Sequence, residues 1–92
     1  MPSSRYDIIR ARLSSALLPV VLQLEDESHL HAGHAGAEGG RGHYRVNIVA
    51  SAFAGLRPIA RHQLVYRSLG ELMHTDIHAL SITALTPDEA QL

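Results

Sequence analysis

The sequence predicts a small α+β domain with the element order α-β-β-α-α-β. Three observations carry that prediction. The chain has 92 residues, the size of one domain. Two stretches space their apolar residues with a helical period, and three others alternate apolar and polar residues. Turn-forming residues separate them: Pro19, a His/Gly-rich run over residues 28–43, Gly55 with Pro58, and Gly70. Residues 1–92 therefore read as a single domain with a core over about 5–89, without repeats or linkers.

The elements follow in chain order. Ser4-Arg5-Tyr6-Asp7 is a capping-box pattern, with Ser4 as N-cap and Asp7 reaching back to its amide. Ile9, Leu13, Ala16 and Leu17 then form an apolar stripe, so a helix is expected over about 5–17, ended by Pro19. In residues 20–26, Val20, Leu22 and Leu24 alternate with Val21, Gln23 and Glu25, which predicts a strand with one buried face. Residues 44–50 alternate more clearly: Tyr44, Val46, Ile48 and Ala50 point inward, Arg45 and Asn47 outward. The two strands read as an antiparallel hairpin with a wide tip. Residues 51–59 are a turn region in which Pro58 suits a first helical position. Ile59, His62, Tyr66, Leu69 and Met73 mark the next helical stripe, with Val65 and Leu72 beside it and a break expected at Gly70. His74-Thr75-Asp76 reads as a turn and residues 77–83 as a third strand. Thr86-Pro87-Asp88-Glu89 then opens a last helical turn.

Composition narrows function. Hydrophobic residues make up 46 %, enough for a modest core in so small a chain. Cysteine is absent, which excludes disulfides and fits a reducing compartment. The net charge is −1 and all 8 basic residues are arginine, a balance that weighs against tight nonspecific nucleic-acid binding. No apolar run approaches the roughly 18 residues of a membrane helix. The N-terminal MPSSRYDIIRARL has no signal-peptide core, so a cytoplasmic protein without membrane attachment is expected.

Histidine is the chemical signature. Of 7 histidines, His29, His31, His34 and His43 fall in DESHLHAGHAGAEGGRGH, residues 26–43. The pattern H-x-H-x-x-H over 29, 31 and 34 suits imidazole-binding metals such as zinc, copper or nickel. A structural zinc site, however, gathers four ligands, often including Cys. The competing readings are a solvated polar loop, preferred for His29, and a binding loop. His43 has the parity of Arg45 and Asn47, on the solvated face, where it can support the loop. His78 shares parity with Leu80 and Ile82, and taken alone reads as a hydrogen-bonded structural residue. His62, beside Arg61 on the helical stripe, has neither a nucleophile motif nor paired carboxylates nor a phosphate loop to work with, so it reads as supporting and an enzyme is not expected.

Taken together, DES (26–28), the His-containing loop, H-Y-R-V (43–46), F-A-G (53–55), R-H-x-x-V-Y (61–66), I-H-A-L (77–80) and T-P-x-E (86–89) resemble the BolA family in content, order and spacing, from about Tyr6 to Glu89. The resemblance implies the BolA fold, α-β-β-α-α-β, with type II KH topology and a three-stranded sheet. It implies a monothiol glutaredoxin as partner and a [2Fe-2S] cluster shared with that partner and with glutathione. It also implies two ligands from this chain: His78, just before Ala-Leu of the last strand, and a histidine of the loop. His31 corresponds best; the loop is longer than the family pattern and richer in histidine, so His34 is the alternative. A chain without thiols can give such a cluster only nitrogen or oxygen donors. Imidazole ligation of one iron raises the reduction potential over an all-thiolate cluster, and an imidazolium does not bind metal.

The same resemblance carries a second reading, since bacterial members have been treated as DNA-binding regulators of morphology and stress response. KH domains clamp nucleic-acid backbone with a GXXG loop. The corresponding turn here, Ala54-Gly55-Leu56-Arg57, has one Gly, leaving Arg57 and Arg61, four residues apart, as the candidate contacts. The sequence leaves a homodimer open.

Overall fold

The computed structural model describes residues 4–28 and 42–92. His29, His31 and His34 lie outside the described residues. The elements are α1 (Arg5–Leu17), β1 (Val21–Asp26), β2 (Gly42–Val49), a 3₁₀ turn (Ser51–Phe53), α2 (Pro58–Leu69), α3 (Leu72–Thr75) and β3 (Ile77–Leu85). The predicted order holds. The strands form one sheet in the order β1-β2-β3. β1 and β2 are antiparallel, as the hairpin reading expects, with Leu24 opposite Val46. β3 runs parallel to β2, so the chain crosses between them through α2 and α3, as a parallel pair requires.

α1 starts at Ser4, whose hydroxyl accepts from the Asp7 N–H at 3.1 Å. It ends on Leu18, which takes a left-handed conformation (φ 46°) and donates its N–H to the Ser14 carbonyl. Ile9, Leu13 and Leu17 are buried and Tyr6 packs against the core beside them, whereas Ala16 is exposed. Val20 is 63 % exposed, because the strand begins only at Val21 and Leu24 is its buried residue.

β2 is the central strand and supplies Tyr44, Val46 and Ile48 to the core, with Phe53 sealing one end. α2 adds Val65 and Leu69. Its apolar stripe is shifted from the expected one: Ile59 is 71 % and Tyr66 39 % exposed. Arg61 explains the rotation. Its Nε donates to the Leu56 carbonyl at 2.8 Å and its Nη1 to the Ala84 carbonyl at 3.0 Å, which turns the 61-65-69 row toward the sheet. Gly70 (φ 56°) separates α2 from α3, as expected. His74-Thr75-Asp76 is not a turn: His74 and Thr75 close α3, and Asp76 caps it by donating to the Leu72 carbonyl.

β3 extends two residues past the expected end, to Leu85. Residues 87–91 form hydrogen-bonded turns, in which Ala90 N–H donates to the Thr86 carbonyl at 3.0 Å, one helical turn that goes no further. The capping chemistry is present, since Thr86 N–H donates to Glu89 Oε1 (2.8 Å) and Glu89 N–H to Thr86 Oγ1 (3.2 Å).

Candidate functional site

The candidate site lies where β2 and β3 begin. There the two strands are out of step: Gly42 pairs with Ile77, but the next β2 residue, His43, pairs with Ala79. His78 is the extra residue of a β-bulge. The bulge resets the alternation, so that Ile77 is buried and Leu80 also packs against the core. His78 is therefore exposed and does not share the apolar face with Leu80 and Ile82, contrary to the expectation from parity. Its ring instead lies against that of His43, with centroids 5.0 Å apart and planes tilted by 46°.

The same corner holds both ends of the His-bearing loop. Glu27 N–H donates to the His43 carbonyl (2.7 Å), and His43 N–H donates to Ser28 Oγ (3.0 Å). Gly42 N–H donates to the Asp76 carbonyl (2.9 Å), tying the returning loop to the residue before β3. Gly42 is required by contact: a Cβ there would stand 2.7 Å from Tyr44 Cε2 and 2.8 Å from Ser28 Oγ. The loop thus leaves at Ser28 and returns at Gly42, beside the bulge that carries His78.

A charged network braces this corner from beneath. Arg5 Nε donates to Asp76 Oδ2 at 3.2 Å, joining the start of α1 to the start of β3. The Asp76 carboxyl is held below its ordinary value, first by the Thr75 hydroxyl and then, against some desolvation, by Arg5. The Tyr44 hydroxyl lies in the same network; burial, and next the Asp26 charge, raise its pKa.

A groove of about 530 Å³ runs from His78 along β3, lined by Tyr66, Arg67, Met73, His74 and Leu80. His74, expected in a turn, was missed as a site neighbour; a one-turn helix such as α3 leaves no periodic signal. His62 is half-buried on α2 and does not line the groove. Among the described residues no three His, Cys, Asp or Glu side chains cluster tightly enough to hold a metal ion by themselves.

Arg57 and Arg61, paired by spacing, differ in setting. Arg57 is the exposed N-cap of α2. The Arg61 side chain is 11 % exposed, and its guanidinium grips Glu89 through Nη1 and Nη2 (Nη2–Oε2 3.0 Å) besides its two carbonyls. Chiefly for that reason the Glu89 carboxyl is lowered to about 2, with the Thr86 N–H adding to the effect.

These features define a small α+β domain that presents imidazoles at the base of a loop, beside an open groove. The BolA family model, described as BolA-like protein, matches residues 13–89, and the chain belongs to this family. It is 43 % identical over 90 residues to Protein BOLA1, chloroplastic, of Arabidopsis thaliana, covering 95 % of this chain and 56 % of that protein. BolA-like protein 1 of Mus musculus is 48 % identical over 79 residues, covering 86 % of this chain and 56 % of its own. The chain thus spans little more than half the length of these two relatives. A protein of Vibrio cholerae named DNA-binding transcriptional regulator BolA is 40 % identical over 85 residues, 92 % of this chain and 77 % of that one. Among solved structures, BolA1 from Arabidopsis thaliana superposes with a TM-score of 0.82 at 42 % identity, covering 97 % of this chain and 98 % of that chain. No helix of the described residues is long and apolar enough to cross a membrane.

Proposed function

We propose that this chain is a non-enzymatic adaptor that docks a monothiol glutaredoxin and co-ligates or passes on a [2Fe-2S] cluster. The observation that carries the reading is the bulge at His78. It lifts an imidazole out of the core face and sets it beside the point where the His-bearing loop closes, at Gly42 and His43. The donor set fits the group. The chain offers imidazoles and no thiol, so a cluster at this corner draws nitrogen from this chain and thiolate from the partner and glutathione. His78 is one ligand and His31 the other, with His34 as the alternative. The cluster, when bound, supplies one-electron chemistry and transferable iron and sulfide. His43 buttresses the His78 ring, and the Arg5–Asp76 pair holds the strand that bears it. The groove beside His78 gives a partner apolar surface to rest on. A cysteine-free chain without a membrane-spanning helix among its described residues suits a cytoplasmic setting.

The test is co-expression with a monothiol glutaredoxin, followed by the visible spectrum of the purified pair. A cluster spectrum altered or lost in both His31→Ala and His78→Ala supports the reading. An unchanged spectrum in both refutes the ligand assignment.

The second reading, a DNA-binding regulator, draws on the name of the Vibrio cholerae relative and on exposed Arg57. Arg61 adds little to it, because its guanidinium is already committed to Glu89 and two carbonyls. Affinity for duplex DNA that falls steeply with salt would support this reading, and no binding at low salt would remove it.

A further inference from the structure

The outer edge of β3 is unusual for a strand at the border of a sheet. It runs nine residues, Ile77–Leu85, with no Lys, Arg, Asp, Glu or Pro. Natural edges are normally shortened, charged or interrupted, because an open edge pairs with whatever strand it meets. The opposite edge, β1, is guarded in this way: it has six residues and ends in Glu25 and Asp26. On β3 the core-facing residues Leu80, Ile82 and Ala84 are only partly covered, and the apolar groove reaches the first of them, Leu80.

The direction of the backbone groups can be worked out. The Leu85 carbonyl accepts from Ala50 N–H at 3.0 Å, on the β2 side. In a parallel ladder consecutive residues address opposite neighbours. Ala79, Ser81 and Thr83 therefore address β2, whereas Leu80, Ile82 and Ala84 address the outer edge. Arg61 follows this rule: its Nη1 takes the Ala84 carbonyl and closes the edge at that end. Among the described residues no strand pairs outside β3, so Leu80 and Ile82 direct both N–H and C=O outward at mid-strand.

We propose that two copies of this chain pair antiparallel along β3, with the two-fold axis at Ser81, doubling the three-stranded sheet. The strand is self-complementary about that point. Leu80 stands opposite Ile82 of the second copy and the reverse, each pair exchanging both N–H···O=C bonds. Both residues keep their side chains on the helix-covered face, so each copy extends the other's core. On the open face Ser81 meets Ser81, and Ala79 meets Thr83, small residues that admit close approach. The contact is isologous, the form expected of a closed dimer, and it places no charge against a like charge along the strand. It stands independently of the cluster reading.

The chain has no native cysteine, which makes the register directly testable. The two Ser81 residues form a non-hydrogen-bonded pair with Cα atoms about 4.5 Å apart, within disulfide range. The Thr83 residues are four strand positions apart, about 13 Å, and out of range. Both positions are exposed on the open face, so either substitution leaves the core intact. The wild-type chain, followed by sedimentation from micromolar to millimolar concentration, is expected to rise reversibly from 10.0 kDa toward twice that mass. Under mild oxidation Ser81→Cys is expected to cross-link at least about tenfold faster than Thr83→Cys. A wild-type chain that stays monomeric throughout, or equal cross-linking of the two variants, overturns the proposal.

Discussion

At Gly42 there is no room for a methyl group, since Tyr44 and Ser28 already fill the position of a Cβ. Gly42→Ala must push Tyr44, which is 3 % exposed, or open the Ser28 contact at the base of the loop. A loss of about 1–3 kcal/mol is expected by denaturant unfolding, the usual effect of overpacking; an unchanged midpoint contradicts the assignment. Glu89 gives a second single-residue prediction. Its carboxyl is lowered to about 2 from an ordinary value of 4.5. A group whose folded pKa is depressed stabilises the fold above its unfolded pKa, and that contribution is lost as pH falls through the folded one. The Arg61–Glu89 contact is thus expected to be intact at neutral pH and to release the C-terminal turn between about pH 4.5 and 2. The Thr86 amide, which donates to Glu89, reports this by NMR; Glu89→Gln should remove the pH response in that window. The residue-scale content of the sequence was uneven. The Ser4 cap and the conformation-setting Gly70 could be read from residue type. His78 could not be placed by parity, because a bulge shifts the phase without leaving a mark in composition.

Among the elements, α2 shows best where a pattern misleads. The expected stripe through Ile59, His62, Tyr66, Leu69 and Met73 and the buried row through Val65 and Leu69 overlap at Leu69, and hydropathy alone does not choose between Ile59 and Val65 as the inward position. The choice is made by Arg61, a charged residue whose partners lie 5, 23 and 28 positions further along or back in the chain. Truncation should separate the buried row from exposed Ile59. Leu69→Ala removes a fully buried side chain and is expected to destabilise by about 2–5 kcal/mol. Ile59→Ser, at a site 71 % exposed, should stay within about 0.5 kcal/mol. Comparable losses for the two in thermal or chemical unfolding would contradict the packing described for α2. The inward row of β2 is legible, since Tyr44, Val46, Ile48 and Ala50 are buried and Arg45 is exposed, although Asn47 is half-buried, Val49 is buried as well, and the strand spans Gly42–Val49 rather than 44–50. A strand buried on one face writes its period directly, whereas a half-covered edge such as β3 writes it weakly.

On the scale of the whole molecule, the order of elements and the antiparallel hairpin follow from local pattern, and the ordered motifs lead to the family. The site does not follow so directly, because it joins distant parts of the chain. Parallel pairing of β2 and β3 brings His78 to His43, the Gly42–Asp76 bond closes the loop there, and Arg5 braces the same corner from α1. Each contact depends on tertiary register, which composition and spacing leave open. The proposed function requires that this corner contribute imidazole nitrogen to a cluster completed by another protein's thiolates. The most direct measurement is pulsed electron paramagnetic resonance of the reduced complex with a monothiol glutaredoxin, using this chain labelled with ¹⁵N-histidine. Strong ¹⁵N couplings from coordinated imidazole are expected, with one coupling lost in His78→Ala. A cluster that forms in the complex but shows no histidine nitrogen coupling would contradict the claim.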